Sequence, residues 1–246
     1  MRDNDRRRTQ VDRIVSACPI PCSLLEAVDG RALSAEALDA VCTRRLRSPA
    51  YPFALRPAEI GCFLSHRRAW REIVERGLDG AAIFEDDVEL ARPGFDRALD
   101  LAFEALASAD LVRLRLMHRT PAATRARTSP AIGWPTVTPL GTQAQVVGRR
   151  GAELLLAASE RFDRPVDVFL QMRWLAGIAA CEVAPSHVFD RTADVGGTTI
   201  QAGRSAGSPR IARNLRRALY RARIRCLSIL RPPRPTAGTM EEASRP

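Results

Sequence analysis

The chain has 246 residues, enough to bury a core of its own, and 46% of them are apolar, which excludes a disordered polymer. No run approaches the roughly 18 to 20 apolar residues of a membrane span, and the charged start Met1-Arg-Asp-Asn-Asp-Arg-Arg-Arg leads into no apolar signal segment, so a cytoplasmic protein is expected. The net charge of +10 is local: residues 1–200 hold 27 Arg against 26 acidic residues, while residues 201–246 hold 11 Arg against Glu241 and Glu242. A nearly neutral body without a basic, aromatic-studded face is not expected to bind nucleic acid.

Taken in chain order, residues 34–47 read as a helix with Ser34 as N-cap and Leu38, Val41 and Cys42 on one face. A loop rich in Pro and aromatics follows. A strong helix then opens at Pro57 and stops at Gly77, with Ile60, Phe63, Leu64, Trp70, Ile73 and Val74 as its apolar face. Residues 81–84 read as a short buried strand, 95–107 as a helix and 111–115 as a strand. Residues 117–133 read as loop, 136–140 and 143–147 as strands, and 151–159 as a helix. Residues 165–175 read as helical and 178–184 as a strand, so helices and strands alternate and the fold class expected is α/β. The six cysteines form no C-x-x-C pair and show no histidine at metal-ligand spacing, which predicts reduced thiols and no zinc site.

The feature that carries chemistry is Glu85-Asp86-Asp87, three adjacent carboxylates closing an apolar strand. Packing three such groups together costs desolvation and mutual repulsion, and a divalent cation such as Mg²⁺ or Mn²⁺ is a common remedy. The carboxyl end of a strand in an α/β sheet is also where ligands usually bind. Alternation along the strand would send Glu85 and Asp87 to one side and Asp86 to the other. The same triplet also reads as a solvated acidic turn.

The segment Gly61-Cys-Phe-Leu-Ser-His66 with Trp70, some 20 residues before that strand, resembles glycosyltransferase family 25. Leu25-Glu-Ala-Val-Asp-Gly30, Gly141-Thr-Gln-Ala-Gln-Val-Val147 with Gly151-Ala152, and Pro165-Val-Asp167 are similar to further segments of that family. The resemblance, over roughly residues 2–200, implies a GT-A-like (Rossmann-like) domain that binds a UDP-sugar, Mn²⁺ or Mg²⁺, and a sugar or lipid-linked glycan acceptor. It implies that Asp87 and Glu85 hold the metal, and that Glu85, Asp86 and Ser65 hold the nucleotide-sugar. His66 reads equally as a donor or acceptor contact and as a satisfied core histidine. Asp167 reads as the general base on the acceptor hydroxyl and equally as a helix N-cap. Trp70 and Trp134 are candidate sugar platforms, with Trp70 also fitting the core, and His187 is a further candidate for the metal shell.

The family opens on an apolar strand followed by an Arg-bearing loop, and Met1-Arg-Asp-Asn-Asp-Arg-Arg resembles that loop without the strand, so the expected start lies upstream of Met1. A non-catalytic, membrane-associated scaffold is the alternative reading. Residues 201–246 are expected to stand apart from the 1–200 transferase domain as an Arg-rich tail. From Ile211 on, Leu215, Leu219, Ala222, Cys226 and Leu230 recur at helical spacing among arginines up to Arg231-Pro-Pro-Arg-Pro. Such a basic amphipathic helix can lie on an anionic membrane.

Overall fold

In the computed structural model, which describes residues 5–118, 129–197 and 210–232, the chain opens with helix α1 (Asp5–Ala17) where a loop is expected. Helix α2 (Ala35–Val41) starts as read, with the Ser34 hydroxyl accepting the Ala37 N–H at 3.1 Å. It stops early because Cys42 turns extended and the chain bridges to Phe162, through Thr43 N–H to Phe162 O and Phe162 N–H to Val41 O. Helix α3 (Pro57–Glu75) opens on Pro57, which lacks the donor a first turn cannot use, and Glu59 accepts the Arg56 N–H at 2.8 Å. Gly77 ends it at φ +64.

Strands β1 (Gly80–Phe84), β3 (Leu111–Leu114), β4 (Ala131–Gly133), β5 (Ala144–Gly148) and β6 (Ala180–Ala184) form one mixed sheet in the order β1-β5-β3-β6-β4. The β3–β6 pair is parallel and the other three pairs are antiparallel. A separate antiparallel ribbon joins β2 (Val88–Leu90) to β7 (Val188–Asp190). Helix α4 (Gly94–Glu104) packs on one face of the sheet, with Phe95 and Leu99 against Val112, Val146 and Val183. Helices α3 and α5 (Arg149–Ala158) pack on the other, with Phe63, Trp70 and Leu155 against Leu111 and Val147. There Phe63 stacks on Phe162 at 3.9 Å and meets Trp70 edge-on. Each such fully buried aromatic contributes on the order of 3 kcal/mol.

Alternation along the strands decides which residues face α3. Leu111 and Val147 belong to the α3 side, Val112 and Val146 to the α4 side, so Arg113 and its cross-strand neighbour Gln145 also lie under α3. Two polar residues in this position are the first sign of a site.

The stretch 136–140 is not a strand. Pro135 and Pro139 remove the donors a ladder needs, and pairing occurs instead at β4, inside the segment read as loop; residues 119–128 of that segment lie outside the described residues. The helix expected over 165–175 is broken at Met172 into α6 (Val166–Gln171) and α7 (Arg173–Ala176). The tail helix exists as α8 (Arg210–Leu230) and packs on the body through Tyr220 and Ile224. Among the described residues no helix is long and apolar enough to cross a membrane.

Candidate active site

Two close approaches set the geometry under α3. A Cβ on Gly61 would lie 2.5 Å from Val28 O, and one on Gly30 would lie 1.8 Å from Pro57 O, so the 28–30 segment lies directly on the helix. Ser65 pins it, accepting the Val28 N–H at 2.8 Å and donating to Gly61 O at 2.8 Å. The hydroxyl expected on the nucleotide-sugar therefore holds two protein segments together.

His66, one residue on, is buried between the sheet and the end of β1. The Gln145 amide donates to Nδ1 at 3.1 Å, leaving Nε2 to carry its proton to Glu85 Oε1 at 3.3 Å. Both ring nitrogens thus have protein partners, and the histidine orients Glu85. The same Glu85 oxygen accepts the Thr142 hydroxyl at 2.6 Å, and the Glu85 N–H donates to Gln143 O. Burial pushes the Glu85 carboxyl up. The hydrogen bond of His66, the Thr142 hydroxyl and the Arg113 guanidinium outweigh that and hold it below its usual range.

The three carboxylates diverge to three partners. Asp86 pairs with Arg7 of α1, whose other nitrogen donates to Gly197 O at 2.7 Å. Asp87 Oδ2 accepts the Thr192 hydroxyl at 3.0 Å, but its buried Oδ1 has no hydrogen-bond partner among the described residues. Burial, then the charges of Glu85 and Asp86, raise Asp87 to about 6 against the weaker opposing pull of Thr192 and Arg7. An orphaned buried carboxylate oxygen, raised by anionic neighbours, is a donor that a divalent cation would satisfy.

Asp167, the second residue of α6, accepts its neighbour Val168's N–H at 2.8 Å and the Gly141 N–H at 3.4 Å; the N-cap of the helix is Pro165, with no side-chain cap bond. It stands on the Glu85 side, since the charges of both act on Cys62 and on Arg113. Arg113 was not legible as a site residue. Burial lowers its guanidinium to about 10, Glu85, Asp167 and Glu182 oppose that, and its Nε and Nη1 have no hydrogen-bond partner among the described residues. The available signal was an arginine inside an otherwise apolar strand, Leu111-Val-Arg-Leu114.

Cys62 corrects another expectation. With His66 one turn on and Glu85 opposite, it forms a group whose ligand atoms lie within 4.8 Å of one another. Burial, then Glu85 and other carboxylates, push its thiol far up, so it is a poor donor beside Asp87. Trp70 is fully buried and belongs to the core, whereas Trp134 is 41% exposed beside β4. His187 takes a left-handed φ of +55 and packs its ring on Gly94, and neither it nor Asp87 belongs to the Cys62 group.

A family model described as glycosyltransferase family 25 (LPS biosynthesis protein) matches residues 1–170. The chain belongs to glycosyltransferase family 25. Its mixed sheet, covered by helices on both faces, is consistent with the GT-A-like domain of such a transferase. Procollagen galactosyltransferase 1 of Danio rerio is 32% identical over 190 residues, covering 71% of this chain and 30% of that protein. Procollagen galactosyltransferase 2 of Homo sapiens is 38% identical over 89 residues, covering 34% of this chain and 14% of its own length. Inactive glycosyltransferase 25 family member 3 of Mus musculus is 33% identical over 178 residues, covering 67% of this chain and 29% of that relative. The chain therefore spans less than a third of the length of these family 25 relatives.

Proposed function

We propose that the chain is a metal-dependent hexosyltransferase, moving galactose or glucose from a UDP-sugar to a hydroxyl of a glycan or lipid-linked glycan acceptor, as in lipopolysaccharide assembly. The observation that carries this reading is the orphaned Asp87 Oδ1 among three carboxylates at the end of β1. Asp87, with Glu85, would hold Mn²⁺ or Mg²⁺, and a bound cation would neutralise the charge that develops on the departing diphosphate.

The chain's own groups supply the rest. His66 and Thr142 keep Glu85 ionised and aimed, which makes them positioning residues. Arg7 holds Asp86, the candidate for the donor ribose, and so ties α1 to the nucleotide side. As the acceptor oxygen bonds to the anomeric carbon and the bond to the UDP oxygen breaks, Asp167 takes the acceptor's proton. The reading on lipopolysaccharide follows the description of the family, and galactose follows the names of the procollagen galactosyltransferases among its relatives.

The decisive experiment measures hydrolysis and transfer from UDP-galactose and UDP-glucose with Mn²⁺, with Mg²⁺ and with EDTA. Turnover that needs the cation and disappears in a folded Asp87→Asn variant supports the proposal. Absence of turnover with every UDP-sugar would leave the non-catalytic scaffold, a reading favoured by the Arg7 ion pair on Asp86 and by the inactive relative.

A further inference from the structure

Helix α8 carries two apolar faces, and the body covers one of them. Tyr220 and Ile224 are buried with Met172 and pack on Tyr51, Val168 and Trp174. The Tyr220 hydroxyl accepts from the buried Arg164 at 2.8 Å, its ring meets Tyr51 edge-on at 5.5 Å, and Arg217 lies over the Phe53 ring at 5.6 Å. This attachment fixes which way the helix faces. On its far side Leu215, Leu219, Ile229 and Leu230 are 58, 56, 59 and 75% exposed, with exposed Ala222 and Cys226 completing the stripe. Arg216 and Arg223 border it on one side and Arg221 and Arg225 on the other, and α8 has no acidic residue.

We propose that this outward stripe lies in the interface of an anionic lipid bilayer, with α8 parallel to the surface and the body held against it. Leucines centred between two rows of arginines match acyl chains flanked by anionic headgroups. A second copy is disfavoured, because stripe-to-stripe pairing would bring two sets of four bordering arginines together without one carboxylate from α8. Nucleic acid would meet the arginines but has no use for the leucines, and the aromatic ring of α8 is on the docked face.

The attachment also gives the membrane contact a direction. Val168, in the cluster that receives Tyr220, adjoins Asp167, so α8 is anchored beside the residue assigned to the acceptor. An acceptor carried by a lipid would then be presented at that side; this corollary rests on the transferase reading, whereas the membrane contact does not.

The test uses the full chain and sucrose-loaded vesicles, either of phosphatidylcholine alone or of equal parts phosphatidylglycerol and phosphatidylcholine. The chain should sediment with the anionic vesicles, release at high salt and ignore the neutral ones. Leu219→Glu with Ile229→Glu, both outside the docked face, should lower the partition coefficient by about tenfold or more while leaving the melting temperature and metal-dependent hydrolysis of a soluble UDP-sugar unchanged. Equal sedimentation of variant and wild type would overturn the proposal. So would a lipid-free dimer that the same variant dissociates, or binding to duplex DNA that matches the vesicle affinity and survives the variant. Vesicle binding without sugar transfer would sink the function proposed above and leave this one standing.

Discussion

Thr142 donates its hydroxyl to Glu85 Oε1 at 2.6 Å, and the residue before it, Gly141, donates its backbone N–H to Asp167 at 3.4 Å. One short loop thus touches both carboxylates assigned to chemistry. Thr142→Val keeps the shape and removes the donor, so the fold should lose about 1 kcal/mol, the usual worth of one such hydrogen bond. Glu85 is held low partly by this hydroxyl and should titrate higher in the variant. The acid limb of the transfer rate against pH should move up accordingly. An unmoved limb in a stable variant would show that Thr142 does not tune Glu85.

Asp87 predicts how the cation and the proton compete. Its carboxyl rises from an ordinary 3.8 to about 6 through burial and two anionic neighbours. In the cation-free protein the stabilising influence of this shift is complete below the ordinary value and is lost as pH rises through about 6. Asp87→Asn should therefore raise the cation-free melting temperature at pH 8 and leave it nearly unchanged at pH 4. Mn²⁺ should stabilise the wild type at pH 8, lose affinity by roughly tenfold per unit below about pH 6, and leave the variant unaffected. Melts with Mn²⁺ and with EDTA at pH 8, pH 6 and pH 4 decide it. An equal Mn²⁺ shift in the variant would place the cation elsewhere, with Cys62, His66 and Glu85 the group to test next.

Asp167 separates proton removal from donor binding. Both of its oxygens accept backbone N–H groups, so Asp167→Asn keeps one acceptor oxygen for the start of α6 and the fold should hold. If it takes the acceptor's proton, kcat should fall by about 100-fold or more while the donor KM stays within about twofold. Loss of donor binding would make it a structural residue of the 141–143 loop.

The elements legible in the sequence are those whose signals are local. Pro57 and Gly77 bound α3, and the apolar run before Glu85 marks β1, because cap chemistry and periodicity act within a few residues. Thr136, Val137 and Thr138 suggested a strand by side-chain type, but the backbone donors missing at Pro135 and Pro139 decided otherwise. In α1 the apolar Val11, Ile14 and Val15 stand at helical spacing, yet charge masked the pattern. In the tail, spacing identified the helix but could not tell which of its two apolar faces would dock. The partners of the carboxylates were out of reach for another reason. Arg7 is 79 residues from Asp86 and Thr192 is 105 from Asp87, and topology alone brings them together.

Arg113 shows what that topology adds and yields the last prediction. It lies on β3 in the middle of the sheet, under α3, with Nε and Nη1 unpartnered among the described residues and the charges of Glu85, Asp167 and Glu182 around it. Although burial lowers it to about 10, it remains a cation at neutral pH. Arg113→Met keeps much of the volume and sets two effects against each other. Removing a buried, incompletely bonded charge favours the fold, whereas stripping three carboxylates of their shared cation opposes it. The second should win at pH 8, by about 1–3 kcal/mol, since a carboxylate that loses its partner costs roughly that much. Glu85 fixes the direction of the pH dependence. Its folded value lies below the ordinary 4.5, so the stability that Arg113 confers through it is present above that value and fades as pH falls. Urea unfolding of both proteins at pH 8 and pH 4 should show a deficit at the first that shrinks or reverses at the second. A deficit equal at both would mean that Arg113 acts through packing and not through the carboxylates.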